Sequence, residues 1–348
     1  MNRASHSIGV VLRTRAIAAA LVGVFSACGC EGNSDGAAGV AGSGGSPPDA
    51  GSPWHDVSPI RHDGDVDLRG VWGSSARDVW AVGGNGWGRG TILHWDGASW
   101  SPWDLPPSAG LRCVWGNSAD DVWAGGDFGT LMHWDGTSWS TSNWHTQADG
   151  VAVTGLWGTG RNDVWAMSWA EIRHWDGATW VLSKAISGTA SPLFGIWGSA
   201  SDDVWVVGAL RTTWHWDGSA WSDLTERAHP ELFGVWGRRR GELWAFASEG
   251  KLLRWNGSDW SPGGGVPSDC GLPQPNRPCD IQAIHAMWGT SDDLWAVGSS
   301  GVILHSAGND EWAMSRSGTL EILNGIWGSG PSDIWAVGAS GTLLHLGD

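Results

Sequence analysis

The chain has 348 residues, with 31 Trp, 55 Gly, 5 Phe and no Tyr, and 20 Lys+Arg against 36 Asp+Glu leave a formal charge of −16. Such an acidic chain is poorly suited to hold nucleic-acid phosphates or an anionic bilayer by charge. The absence of Tyr removes any chemistry that needs a phenol, and a hydrophobic content of 41% argues against wholesale disorder.

The first 27 residues read as an export signal. Arg3, Arg13 and Arg15 stand without an acid before the apolar run 16–24. That run is too short to remain as a spanning helix. Phe25-Ser26-Ala27-Cys28 resembles a bacterial lipobox, which implies lipidation of Cys28. Residues 28–53 are Gly, Ser, Ala, Pro and Asp, the composition of a flexible tether. An acyl anchor and a tether ahead of a folded domain predict an exported protein at the outer membrane or cell surface, with the periplasmic side as the alternative. The lipid is then its one membrane contact.

Residues 54–348 are one unit written seven times. A Trp recurs at 72, 115, 157, 197, 236, 288 and 327, each followed by Gly. A second Trp follows eight residues later, or seven at Trp295. Then come a segment such as Gly90–Gly97 and a closing Trp such as Trp100. In the first unit this predicts strands at 68–72, 78–82 and 91–95 and a fourth from about 100. Asp96-Gly97 reads as a two-residue hairpin turn. Four strands per repeat of roughly 40 residues predict an all-β, seven-bladed propeller with antiparallel blades. The seventh unit stops after its third strand, while Ser52-Pro53-Trp54 before the first unit copies Ser101-Pro102-Trp103. The N-terminal strand is therefore expected to complete the last blade.

The repeats resemble bacterial propeller repeats of the Asp-box/BNR and YCF48-like kind, on Asp-Gly-Ala-Ser-Trp at 96–100, Asp-Gly-Thr-Ser-Trp at 135–139 and Asp-Gly-Ala-Thr-Trp at 176–180. An Asp-box has one more residue between Asp and Gly. The Gly-x-Trp-Gly and Asp-x-Trp-Ala-Val-Gly elements are also similar to those of tandem-repeat propellers among bacterial surface lipoproteins. The resemblance implies a fold and says little of activity.

Positions common to all units must serve packing. Cys113 falls where every other unit has Gly or Ala, so it reads as a small core residue. His94, His133, His174, His215, His305 and His345 recur on the third strand, two strands from the axis, too far apart to share one metal ion. Asp78, Asp121, Asp163, Asp203, Asp293 and Asp333 open the second strand. The unit with Arg254 in place of His also has Glu242 in place of Asp, which predicts an acid–base hydrogen bond within each blade.

Function is expected where the units differ, in the loops after the second and fourth strands, which share one face. The candidate ligand-binding residues are Arg69, Arg112, Phe194, Phe233 and His285 at the starts of inner strands, with Trp87, Trp103, Trp144, Trp169 and Trp214 nearby. Aromatics beside Arg suit a glycan or an envelope protein. The expected function is a monomeric binding or scaffold module, similar in role to an adhesin, with no cofactor or metal. Asp63, Asp65 and Asp67 mimic the start of a calcium loop but lack its later Gly and Glu. The rival is a glycoside hydrolase or lyase over the central channel, which needs converging acids such as Asp127, Glu171 or Glu249. No catalytic signature selects it. Cys270 and Cys279, in the long insertion before the sixth unit, are expected to form a disulfide in an exported protein.

Overall fold

The computed structural model describes residues 52–60, 66–85, 88–105, 109–142, 144, 151–186, 192–225, 231–247, 250–264, 283–308 and 311–347. Its strands form seven four-stranded antiparallel sheets. Each sheet is one blade of a β-propeller. Blade one comprises Val66–Ser75, Asp78–Asn85, Gly90–Trp95 and Trp100–Pro102, from the axis outward. The inner strands of blades two to seven begin at Leu111, Gly155, Leu193, Leu232, Ile284 and Leu323. Second strands are covered on both faces by neighbouring blades. They therefore carry continuous apolar runs, and Val79, Trp80, Ala81 and Val82 are all buried.

The ring closes as expected. His55 and Asp56 pair with His345 and Leu344 as the outer strand of blade seven. The backbone N–H of Val57 extends the ladder to the carbonyl of Leu343, at 3.0 Å. Trp54 is buried edge-on against Trp295 of blade six, with centroids 5.6 Å apart. Its indole N–H donates to Ser315 Oγ.

The Trp-Gly pair is a lock between blades. A Cβ built on Gly116 of blade two would meet the Trp72 ring of blade one at 2.6 Å. Trp115 covers Gly158 in the same way, Trp157 covers Gly198, Trp197 covers Gly237, Trp288 covers Gly328 and Trp327 covers Gly73. Each indole thus needs a glycine on the next blade. A second layer lies further out. The Trp80 ring stacks on His94 of its own blade and meets Trp134 and Trp139 of the next, at 5.2 and 5.4 Å. Trp335 of blade seven meets Trp95 and Trp100 of blade one in that manner. Burying one such indole is worth several kcal/mol, about 3–5 on truncation to Ala.

The turn between third and outer strands differs from the expected two-residue hairpin. Trp95 pairs with Trp100, so residues 96–99 form a four-residue loop. The backbone N–H groups of Ala98 and Ser99 donate to the Asp96 carboxylate, each at 2.9 Å. Only Gly97 takes a positive φ, of 93°. The Asp side chain therefore does the work that a second left-handed residue would do in a tighter turn.

Candidate functional site

The two faces of the ring differ as the repeats imply. One face carries the loops between first and second strands and between third and outer strands, and these touch. A Cβ on Gly97, Gly136 or Gly218 would meet Arg77, Asp120 or Asp202 of the neighbouring turn.

Within each blade the second strand opens on a hydrogen-bonded cluster. His94, His133, His174, His215 and His345 Nε2 lie 2.7, 2.7, 2.6, 2.8 and 2.7 Å from the carboxylates of Asp78, Asp121, Asp163, Asp203 and Asp333. His305 bonds Asp293 likewise. The same carboxylates accept the hydroxyls of Ser74, Thr159, Ser199 and Ser329 in four blades. Sequence reading found the His and Asp columns but missed this third member; a hydroxyl four residues before the Asp was its signal. Burial pushes the Asp78, Asp163 and Asp203 carboxyls up. Hydrogen bonds led by His94, His174 and His215 more than offset it, so all three sit below 3.8. Blade five replaces the cluster: Glu242 pairs with Arg238 and Arg239, and Arg254 lies over Trp244 in the place of the stacked His.

Cys113 lies where inner strands crowd the axis, with Sγ 3.8 Å from the Val153 carbonyl. Although the residue keeps some exposure, burial of the thiol pushes it up to about 12. A nucleophile needs the opposite shift.

The opposite, variable face gathers several of the expected residues. Arg112 Nε donates to Asp127, and Arg69 Nη1 stands 4.0 Å from the same carboxylate. Phe194 and Phe233 of neighbouring blades form a ring pair at 5.7 Å. His285 Nδ1 donates to the Leu323 carbonyl of blade seven at 3.1 Å, and Asn324 donates to Leu68 of blade one. Burial pushes His285 down, which favours the neutral ring. Residues at the starts of these two inner strands thus tie neighbouring blades together while bordering the mouth of the ring.

The Trp residues expected on this face separate into different roles. Trp169 is exposed, at 43%. Trp144 is not: it is buried between blades two and three, and its indole N–H donates to the Gly129 carbonyl. Trp103 packs against Trp80 and Trp134 at 5.8 and 4.9 Å, as part of the layer between blades. Trp214 is half-buried under Lys184, whose Nζ is 3.9 Å from the ring. Both Trp103 and Trp144 follow an outer strand, where the edge of the next blade is near enough to cover an indole. Trp87, Cys28, Cys270, Cys279, Glu249, Asp63 and Asp65 lie outside the described residues.

Exposed apolar side chains that sequence reading overlooked share this face with Trp169. Phe128 and Leu210 occupy the same place in the loop after the second strand of blades two and four, and are 77% and 55% exposed. Both have left-handed backbone, with φ of 53° and 51°. Ser300 and Ser340 take that conformation in blades six and seven. Only the repeat alignment could have pointed to Phe128 and Leu210, since neither belongs to a motif. Of the acids required for glycoside chemistry, Asp127 is held by arginine as above, and Glu171 is bonded by Arg173 at 3.1 Å.

No family model matches the chain, and no curated protein matches it. Solved structures do match. A YCF48 structure bound to a D1 peptide gives a TM-score of 0.65 at 18% identity, over 87% of this chain and 99% of that one. The WD40 propeller domain of Doa1 gives 0.63 at 15%, over 83% and 95%. A catalytically inactive virginiamycin B lyase from Staphylococcus aureus with quinupristin gives 0.64 at 16%, over 84% and 98%. At these identities the similarity establishes a propeller fold, which serves binding and catalysis alike.

Proposed function

We propose that the chain is an exported, lipid-anchored binding module that holds an envelope or surface protein against its variable face. The observation that carries this reading is the row Phe128, Trp169 and Leu210. Three consecutive blades present large apolar side chains to solvent there, and two of them sit on backbone that costs about 1–2 kcal/mol for a residue with a Cβ. Folding alone gains nothing from such tips, whereas a partner that covers them does. Arg69, Arg112 and Asp127 supply a polar rim beside the row. Each blade is a hydrogen-bonded four-stranded sheet, so the strands that carry these side chains lose little entropy on docking. The peptide carried by the YCF48 neighbour supports a peptide or protein ligand over a sugar. So does the burial of Trp144 and the packing of Trp103, which removes two of the expected sugar platforms.

The test is site-specific photo-crosslinking in the native host. A crosslinker at position 128 or 210 should trap one discrete protein partner, and one at Ser219 on the opposite face should not. Equal labelling from both faces counts against the reading. Radiolabelled fatty acid appearing on the wild-type chain but not on Cys28→Ser checks the anchor.

A further inference from the structure

We propose that the space between blades five and six, on the face opposite the variable loops, is a binding site for a neutral saccharide. This junction departs from the other six on several counts. The atoms nearest to a Cβ on Gly289 belong to Asp293 and Leu294 of its own blade, not to the Trp236 indole of the blade before it. Blade six has a turn one residue shorter, which gives Trp288–Trp295 the spacing of seven. Its third strand ends in Ser306 where blades one to five have Trp, an absence shared with Leu346 of blade seven, and Trp244 meets Trp312. A cavity of about 610 Å³ lies at this junction, walled by the first-to-second-strand turns of blades five and six. That lies within the usual range of small-ligand sites, about 300–1,000 Å³.

The lining identifies the chemistry. Trp236 and Trp288 supply half-buried indole surface, suited to the C–H face of a pyranose. Arg238 and Arg239 bring donors, Glu242 and Asp292 bring acceptors, and Thr290 and Ser291 bring hydroxyls. Two guanidiniums face two carboxylates, so the lining carries no net charge with which to select an ion. A polyol without charge uses all of these groups at once. Arg238 also donates to the Ser291 carbonyl across the junction, and with Arg239 it fixes Glu242. The polar groups are thus positioned before any ligand arrives. Blade five has lost its Ser–Asp–His cluster and gained Arg238, Glu242 and Arg254, so the rewritten blade is the one that walls this cavity.

Saturation-transfer NMR on the full chain tests this with cellobiose, maltose and diacetylchitobiose, and with digalacturonate as the anionic comparator. One neutral sugar should show transfer and a Kd of about 1 mM or tighter. Arg239→Ala and Asp292→Ala, both at exposed positions, should each weaken it by about tenfold with melting unchanged. Phe128→Gly, on the other face, should leave it intact, which separates this site from the variable-face reading. The proposal is overturned by absence of transfer from every neutral sugar, by binding that survives both substitutions, or by tighter binding of digalacturonate.

Discussion

The indole of Trp327, in the last blade, lies across Gly73, in the first: a Cβ on Gly73 would sit 2.6 Å from the ring. The same relation joins Trp72 to Gly116 inside the chain. The junction where the ring closes is therefore built like an internal one, and its glycine is a steric requirement.

Gly73→Ala should destabilise the protein by about 1–3 kcal/mol, because the added methyl meets both the Trp327 ring and the Asp78 carbonyl. Gly160→Ala, where nothing lies within 4 Å of the new Cβ, should be close to neutral. Urea denaturation of the two variants checks the contrast. Equal midpoints would remove the lock as an explanation for the Trp-Gly repeat.

Deleting residues 52–58 should lower stability across the whole ring and not only in blade seven. Trp54 is buried against Trp295, and its loss alone should cost about 3–5 kcal/mol. A single, shifted melting transition is expected. A melting curve that matches the intact protein would show that closure does not depend on this strand.

Acid should weaken the fold in a defined window. The Asp78, Asp163 and Asp203 carboxyls titrate below 3.8 in the folded state. At the exposed turns, hydrogen bonds led by the Thr137 and Ser219 hydroxyls hold Asp135 and Asp217 at about 2. The unfolded chain takes up protons first, so the stability these groups contribute is full above about pH 5 and drains away toward about pH 2. Melting temperatures measured from pH 7 downward should fall in that interval. Asp→Asn at 78, 163 and 203 together should lower stability at pH 7 and flatten the acid limb.

Phe128→Gly should leave stability unchanged or raise it by up to about 1 kcal/mol, since glycine accepts φ of 53° and little burial is lost. Partner capture should fall at the same time. Opposite signs for stability and binding are the mark of a strained residue kept for recognition. A variant that binds as well as wild type would reassign Phe128 to a structural role.

The architecture was legible because each repeat writes the same packing solution. Trp-Gly, Asp-x-Trp and the third-strand His each mark a position whose neighbours are also repeats. One chain then contains seven trials of the same contact. Replacement of His and Asp together in blade five, by Arg254 and Glu242, marks the acid–base pair in the sequence itself. The variable face was less legible for the same reason. Trp144 and Trp169 look alike in sequence, yet one is buried under the next blade and the other exposed. Their difference depends on loop paths that no repeat copies. The cavity between blades five and six is walled by turn residues that the other blades do not share, Arg238, Arg239 and Glu242 among them. A motif search passes over residues of that kind.

The layered indoles also make the ring an optical object. Centroids such as Trp80–Trp134 and Trp95–Trp335 lie 5.2 Å apart. At that spacing neighbouring indoles exchange excitation before they emit. Fluorescence from this protein is therefore expected to depend on the assembled circle and on the imidazoles stacked on its rings. Opening one junction separates the indoles that meet there, so emission should report the integrity of each junction.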